Sequence, residues 1–416
     1  VGGTLIFGIP GTSSLGLVDT IRKNPKIRYI VVRHEENAAM AASAYFKLTG
    51  KVAGCLTIAG PGGIQEIYQD AFFRPIAVYN NTIYEKNVAI LLLNRAMKYA
   101  LLNRGVGQLS VPNDIQKQPL EAAHCVRETC IGSLDIMPSD ASLKAAAETI
   151  LAAKNPVILA GWGAHESSVE VLALAKAIGA PILTTFRAKG IIPEDNLWVV
   201  GILGSVGSPP ARSLANDADL LITLGVGFSK FTNVPVDKPM VQVDIDPIRL
   251  GKNTRSVPLW GNCRLVLPRL IPLLGNRGGG VPPAPVSAMK KDWDDQRDTE
   301  TDAAVVPIRP PFIMKVLSEV IPEDAVISLD VGENQRWFGR NFRMKRQRLA
   351  MSGYLAPMGF GLPVAIAAKL AYPDRPVFCI TGDGGFSMAM ADFVTASKYN
   401  LPMVVVILNN RQLGMI

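Results

Sequence analysis

The chain has 416 residues, of which 48% are hydrophobic and 19% charged, and it carries a formal net charge of +8 at pH 7. Domains usually hold about 100–200 residues, so this length calls for two or three of them. The composition excludes a disordered chain or a small disulfide-stapled scaffold.

No apolar run approaches the roughly 18 residues of a membrane-spanning helix, and no charged start leads into an apolar stretch as in a signal peptide. Five cysteines, Cys55, Cys125, Cys130, Cys263 and Cys379, are scattered and odd in number. Cys55 and Cys379 fall in apolar runs that read as buried strands, which favours a reducing, cytoplasmic setting. The densest basic stretch, Arg340, Arg343, Lys345, Arg346 and Arg348, has only one aromatic, Phe342, interleaved. It reads as a solvated loop, and no nucleic-acid partner is expected. A positive surface draws small anions and phosphates by long-range attraction instead.

In chain order, residues 1–120 alternate β-branched runs with helical patterns: strands Thr4–Gly8, Ile27–Val32 and Gly54–Ala59, and an amphipathic helix Glu35–Leu48. That alternation predicts a parallel sheet covered by helices. Asp114 to Ser139 carries little periodicity and reads as a linker. A second α/β unit, residues 135–280, has strands Pro156–Gly161, Pro181–Thr185, Leu220–Leu224 and Met240–Ile245 and a helix Ser167–Ile178. The Gly- and Pro-rich stretch Gly275–Pro285 reads as a linker. A third unit, 305–416, has helices Pro310–Val320, Gly361–Ala371 and one from Met388, with strands Ala325–Leu329, Val377–Thr381 and Met403–Leu408. The fold class is therefore α/β, with parallel sheets wound on both faces. Because the chain stops at Ile416 just after a strand, the third unit is expected to be incomplete at its C-terminus.

Gly382-Asp383-Gly384-Gly385 follows the strand at the carboxyl end of a parallel sheet, where such folds bind ligands. Glycines there let backbone N–H groups approach phosphate oxygens. Asp383 supplies an anionic oxygen, and 27 residues later Asn410 supplies a neutral one after the next strand. With a nearby carbonyl, this all-oxygen set suits Mg²⁺ bound to phosphate. Either half alone is only a turn; the two in order, separated by helix and strand, point to a diphosphate site.

The run from Gly382 to Ile416 resembles the diphosphate-binding motif of thiamine-diphosphate-dependent enzymes. The resemblance implies Asp383, Asn410 and the main-chain carbonyl of Gln412 as magnesium ligands, and Gly382, Gly384 and Gly385 as holders of the diphosphate. Thiamine chemistry needs a carbanion at the thiazolium C2, formed when the cofactor's own aminopyrimidine acts as an internal base. A carboxyl group bonded to the pyrimidine favours the imino form that does so. Arg33-His34-Glu35, between a strand and a helix, is similar to the family's Arg-His-Glu motif, which makes Glu35 the activating glutamate. A carboxylate in the first turn of any helix is the plainer reading, and Glu36 fits it equally. The family register, carried by residues 38–54 and by Gly-Pro-Gly-Gly at 60–63, selects Glu35. His34 reads as a packing or capping residue.

Two further matches are Gly8-Ile9-Pro10-Gly11, with Pro10 as a cofactor contact, and Pro357–Pro363. In the family the residue at Met358 props the cofactor into a bent shape; otherwise it reads as gap-filling core. The resemblance runs through the whole chain as pyrimidine-binding, middle and diphosphate-binding domains. It implies a homodimer or homotetramer whose active sites are shared between the first domain of one subunit and the third of another.

Residues 100–120, 201–228 and 365–393 look most similar to the pyruvate oxidase branch, with acetolactate synthases next, and both groups bind FAD in the middle domain. The implied flavin contacts are Gly161, Gly163, Thr184, Gly225 and Asp244, at strand ends suited to a dinucleotide. Two features depart from the family. Gly227 stands where synthases usually have Arg, and Gly63 abuts Ile64 where relatives have another strand and helix. The expected reaction is decarboxylation of a small 2-keto acid, pyruvate foremost, with electrons passed to FAD. Acetolactate synthase-type carboligation is the alternative, and a non-catalytic binding subunit is a third reading that Glu35, Asp383 and Asn410 argue against.

Overall fold

Short β-branched runs become strands wherever both faces can be covered, and the computed structural model places fifteen of them among the described residues. It describes residues 5–58, 67–121, 131–276, 278, 280–353 and 355–415. The Gly-Pro-Gly-Gly run at 60–63, the Gly63–Ile64 junction, Cys125 and Cys130 lie outside the described residues. Among the described residues no helix is long and apolar enough to cross a membrane.

The chain divides into two compact units, one of residues 1–133, 357–379 and 383–405, the other of 134–356, 380–382 and 406–416. In the first, β1 (Leu5–Gly8), β2 (Arg28–Val31) and β3 (Gly54–Leu56) form a parallel sheet of order β2-β1-β3. Phe7 and Ile30 are fully buried in it. β4 (Ala77–Thr82) and β5 (Val106–Ser110) pair in parallel beside the helix Ala89–Asn103. Cys55, expected in a buried strand, is exposed, because β3 is an edge strand.

The helix Glu35–Thr49 is capped by His34, whose Nδ1 accepts the Glu36 N–H at 3.2 Å, and ends at Gly50 in the left-handed region, φ 68°. Ala38, Ala41, Tyr45 and Leu48, spaced three or four apart, form its buried stripe. That helix packs along the helix Gly361–Ala371, and the Tyr372 hydroxyl donates to Leu48 O at 2.5 Å.

In the second unit, six strands form one parallel sheet: β6 (Pro156–Ala160), β7 (Ile182–Thr184), β8 (Val199–Ile202), β9 (Leu220–Leu224), β10 (Met240–Asp244) and β11 (Ser256–Trp260). Their order is β11-β10-β9-β6-β7-β8. The first strand lies in the middle and the chain winds outward twice, the arrangement of dinucleotide-binding sheets, with a switch point between β6 and β9. β11 carries Pro258, which an edge strand tolerates. Lys189, its side chain 1% exposed, pairs with Glu194 at 2.6 Å, and Glu194 also accepts the Met344 N–H at 2.8 Å. Burial holds the Lys189 ammonium below the usual lysine range, against the pull of Glu194.

The last four strands, β12 (Val326–Leu329), β13 (Arg348–Met351), β14 (Val377–Gly382) and β15 (Val404–Leu408), have the order β13-β12-β14-β15. The basic stretch is only in part the expected solvated loop: Arg343, Lys345 and Arg346 lie in the loop 342–347, while the two ends belong to regular elements. Arg340 lies in the helix Glu333–Asn341 and Arg348 opens β13. Arg340, Arg343 and Lys345 pair with Glu300, Asp298 and Glu323.

Candidate functional site

β14 runs into a helix without an intervening turn: Gly382 ends the strand and Asp383 opens the helix Asp383–Ala389. The helix was expected only from Met388. The earlier start makes Gly384 and Gly385 first-turn residues, whose N–H groups have no intrahelical acceptor and face outward from the strand end. This is a backbone arrangement suited to phosphate oxygens. A Cβ on Gly359, which has φ 81°, would come within 3.1 Å of the Met388 Cβ and 3.5 Å of Gly385 O. The turn carrying half-buried Met358 therefore rests against that first helical turn.

Asn409 and Asn410 follow β15, the neighbour of β14, and a Cβ on Gly382 would lie 3.9 Å from Leu408 O. Asn410 is exposed; its Oδ1 accepts the Gln412 N–H at 3.2 Å and its Nδ2 donates to Glu333 Oε2 at 3.0 Å. Asp383 thus stands just beyond the end of β14, and Asn410, with Gln412 bonded to it, just beyond the end of β15. All three offer oxygens, the donor chemistry of Mg²⁺ rather than of a soft metal.

Glu333 was not anticipated. It opens a helix after β12 and lines a cleft of about 700 Å³ together with Arg309, Arg336, Trp337 and Ser205 to Gly207. Nothing local in the sequence marks it, because its partner Asn410 is 77 residues away. Below it, buried Asp330 accepts the Thr381 hydroxyl at 2.7 Å and its carbonyl accepts Asn334 Nδ2 at 2.7 Å, which ties the ends of β12 and β14 together.

In the first unit, Glu35 is half-buried in the first turn of its helix, immediately after β2 and the extended residue His34. Tyr29, on the same strand, has a buried hydroxyl with no hydrogen-bond partner among the described residues, beside Gly8. Burial pushes that phenol up to about 12, with Cys55, Tyr399 and Glu35 adding to the shift. An unpartnered buried hydroxyl within electrostatic reach of a carboxylate fits a polar heteroaromatic ligand, and Tyr29 is a second residue the sequence did not single out. Gly8 and Gly11 leave no room for side chains, since their Cβ atoms would fall 2.1 Å from Leu56 O and 1.7 Å from Ile58 Cδ1. Between them, Pro10 is exposed.

The expected flavin contacts divide. Gly161 and Gly225 lie at the switch point, but the space beside each is filled by backbone: a Cβ on Gly161 would fall 2.1 Å from Gly225 O, and one on Gly225 would fall 2.3 Å from Gly163 Cα. Asp244 Oδ1 accepts the Asp246 N–H at 2.9 Å. Thr184 Oγ1, by contrast, is buried at the end of β7 with no partner among the described residues, an unmet polar atom where a dinucleotide would lie.

Three family descriptions match in sequence order. The thiamine pyrophosphate enzyme N-terminal TPP binding domain covers residues 2–68, the central domain 143–270 and the C-terminal TPP binding domain 330–416. The chain is 35% identical to the Bacillus subtilis thiamine pyrophosphate-containing protein YdaP, over 99% of this chain and 78% of that one. It is 30% identical to a Methanococcus aeolicus protein named probable acetolactate synthase large subunit, over 99% and 79%. It is 29% identical to a pyruvate oxidase of Lactiplantibacillus plantarum, over 99% and 75%. With its parallel sheets and its three matched domains, the chain belongs to the thiamine pyrophosphate enzyme family, in the branch that holds acetolactate synthases and pyruvate oxidases.

Proposed function

We propose that this thiamine-diphosphate-dependent enzyme decarboxylates pyruvate or a similar small 2-keto acid and passes two electrons to FAD, as a pyruvate oxidase does. When bound, thiamine diphosphate supplies the nucleophilic C2 carbon, and FAD supplies the electron acceptor. Glu35 carries the reading. Its carboxyl, in the first turn of a helix and within electrostatic reach of the unpartnered Tyr29 hydroxyl, would hold a proton at the pyrimidine ring nitrogen and so keep the cofactor's amino group able to act as a base.

Asp383, Asn410 and the Gln412 carbonyl would hold Mg²⁺, and the Gly382 to Gly385 backbone would hold the diphosphate. Met358 would shape the cofactor from its turn against Gly385, and Pro10 would touch it. The cleft beside Glu333 is within the usual size of a small-molecule site, and Arg309 and Arg336 on its wall would attract a keto-acid carboxylate. For FAD, the dinucleotide-type strand order and the Thr184 hydroxyl are the support, with Gly161, Gly163, Gly225 and Asp244 as the surrounding contacts. Active sites would be shared between subunits of a homodimer or homotetramer.

Carboligation of two keto acids is the second reading, favoured by the likeness to an acetolactate synthase subunit. The deciding experiment extracts the cofactors and assays a panel of 2-keto acids with and without an electron acceptor. Acceptor-dependent CO₂ release with bound flavin is the expected result. Acetolactate formed from pyruvate without an acceptor would overturn the oxidase reading.

A further inference from the structure

The chemistry proposed above makes no use of Asp392, yet this carboxylate is fully buried. Its Oδ1 accepts the Arg33 N–H at 2.8 Å and the Thr395 hydroxyl at 2.7 Å, and its Oδ2 accepts Asn37 Nδ2. A buried carboxylate is costly unless donors converge on it, and here three do. Two of them, Arg33 and Asn37, flank Glu35 by two residues on either side.

The reason lies in the sheet. Among the described residues β2 is an edge strand of the order β2-β1-β3, so the N–H groups on its outer side have no neighbouring strand there to bond. Val31 and Arg33, two apart and so facing the same way, are met by side chains instead. The Val31 N–H donates to the Tyr399 hydroxyl oxygen at 2.8 Å, and the Arg33 N–H to Asp392. The segment 392–399 thus takes the place of a fourth strand. At Asp392 it also reaches across the turn to Asn37, in the first turn of the helix that follows.

We propose that Asp392 is a positioning residue for Glu35. One carboxylate grips the backbone before the helix and a side chain inside its first turn, which fixes both the depth of that turn and its rotation about the helix axis. The direction of the Glu35 carboxyl follows from these two settings. The inference rests on Glu35 being the cofactor's pyrimidine partner, and it names the group that holds it there.

The geometry also specifies a rescue. Asp392→Asn places an N–H against at least one donor, but combining it with Asn37→Asp exchanges acid and amide, so that the pair can form again with its direction reversed.

Three measurements test the proposal on the full chain: amide hydrogen exchange over residues 31–37 in the cofactor-free protein, affinity for thiamine diphosphate with Mg²⁺, and exchange of the thiamine C2 proton with deuterium in the loaded protein. Asp392→Ala is expected to slow C2 exchange by about a hundredfold, the scale of a misplaced catalytic group, while cofactor affinity stays close to that of the unaltered protein. The amides of Arg33, Glu36 and Asn37 should exchange faster, and the acid–amide swap should recover most of the C2 rate. A folded Asp392→Ala protein with unchanged C2 exchange would overturn the proposal, as would a loss explained wholly by weaker cofactor binding. If Asp392→Ala does not fold, Asp392→Asn and the swap decide: a swap no faster than Asp392→Asn alone overturns it. If Glu35→Gln itself leaves C2 exchange intact, the role of Glu35 fails. Amide exchange then judges the grip separately, and unchanged protection at Arg33 and Asn37 in Asp392→Ala would end it.

Discussion

Two glycine-bearing strand ends can be set side by side. At the switch point of the six-stranded sheet, Gly161, Gly163 and Gly225 pack backbone against backbone: Gly225 occupies the space where a side chain on Gly161 or Gly163 would be, and Gly163 the space where one on Gly225 would be. At the end of β14, Gly384 and Gly385 open a helix, and their N–H groups lie in the turn that an α-helix leaves without internal acceptors. The first set closes a fold; the second presents donors. A glycine after a strand therefore points to a ligand only when its amides are left over once packing is satisfied.

Four changes test this contrast, from the largest expected effect to the smallest. Glu35→Gln, which removes the proposed pyrimidine partner, should slow thiamine C2 proton exchange by at least about a hundredfold, the usual scale of a lost general acid–base group. Nuclear magnetic resonance of the loaded protein reads this directly, and a rate near that of the unaltered protein would remove Glu35 from the site.

Glu194→Ala, in the closed region, should cost about 3–5 kcal/mol of stability, because it strands the Lys189 ammonium in the interior. Thermal unfolding checks it. The pH dependence has a definite sign. The Lys189 pKa is lowered by burial, so the unfolded chain binds that proton more readily than the folded one. Stability from this group therefore rises with pH towards the ordinary lysine range and is lost as pH falls. A stronger rise with pH is expected in Glu194→Ala, and a flat profile would contradict the assignment.

Asp383→Ala should weaken magnesium-dependent binding of thiamine diphosphate by about 10–100-fold while leaving the melting temperature of the cofactor-free protein unchanged. Titration calorimetry separates the two. Gly161→Ala should do the reverse, destabilising the chain by about 1–3 kcal/mol through overpacking against Gly225, with thiamine diphosphate affinity intact. If Asp383→Ala melted early, or Gly161→Ala lost thiamine affinity without losing stability, the contrast between the two ends would not hold.

Much of the site was legible in the letters because its parts are local. Gly382 ends an apolar strand and leads into Gly385, Asn409-Asn410 follow another directly, and Glu35 comes four residues after a third, so strand and motif identify one another. The elements that escaped notice had mixed signals: β11 contains Pro258, tolerable only at a sheet edge. Cys55 read as buried because its neighbours are apolar, yet β3 is also an edge and exposes it. Asp392, Glu333 and Tyr29 escaped for another reason. Each is an ordinary residue whose meaning depends on a partner or a vacancy in three dimensions: Asn37 is 355 residues from Asp392, and Asn410 is 77 from Glu333.

The sequence by itself determined that this is a parallel α/β chain of the thiamine pyrophosphate enzyme family, because strand, glycine turn and helix are encoded within a few residues of one another and the backbone follows local chemistry. Only the tertiary structure decided which glycines are packed and which are open, which cations are paired, and which buried carboxylate bonds the residues on either side of Glu35. Those properties arise where distant segments meet, and burial and hydrogen-bond satisfaction exist only after they have met.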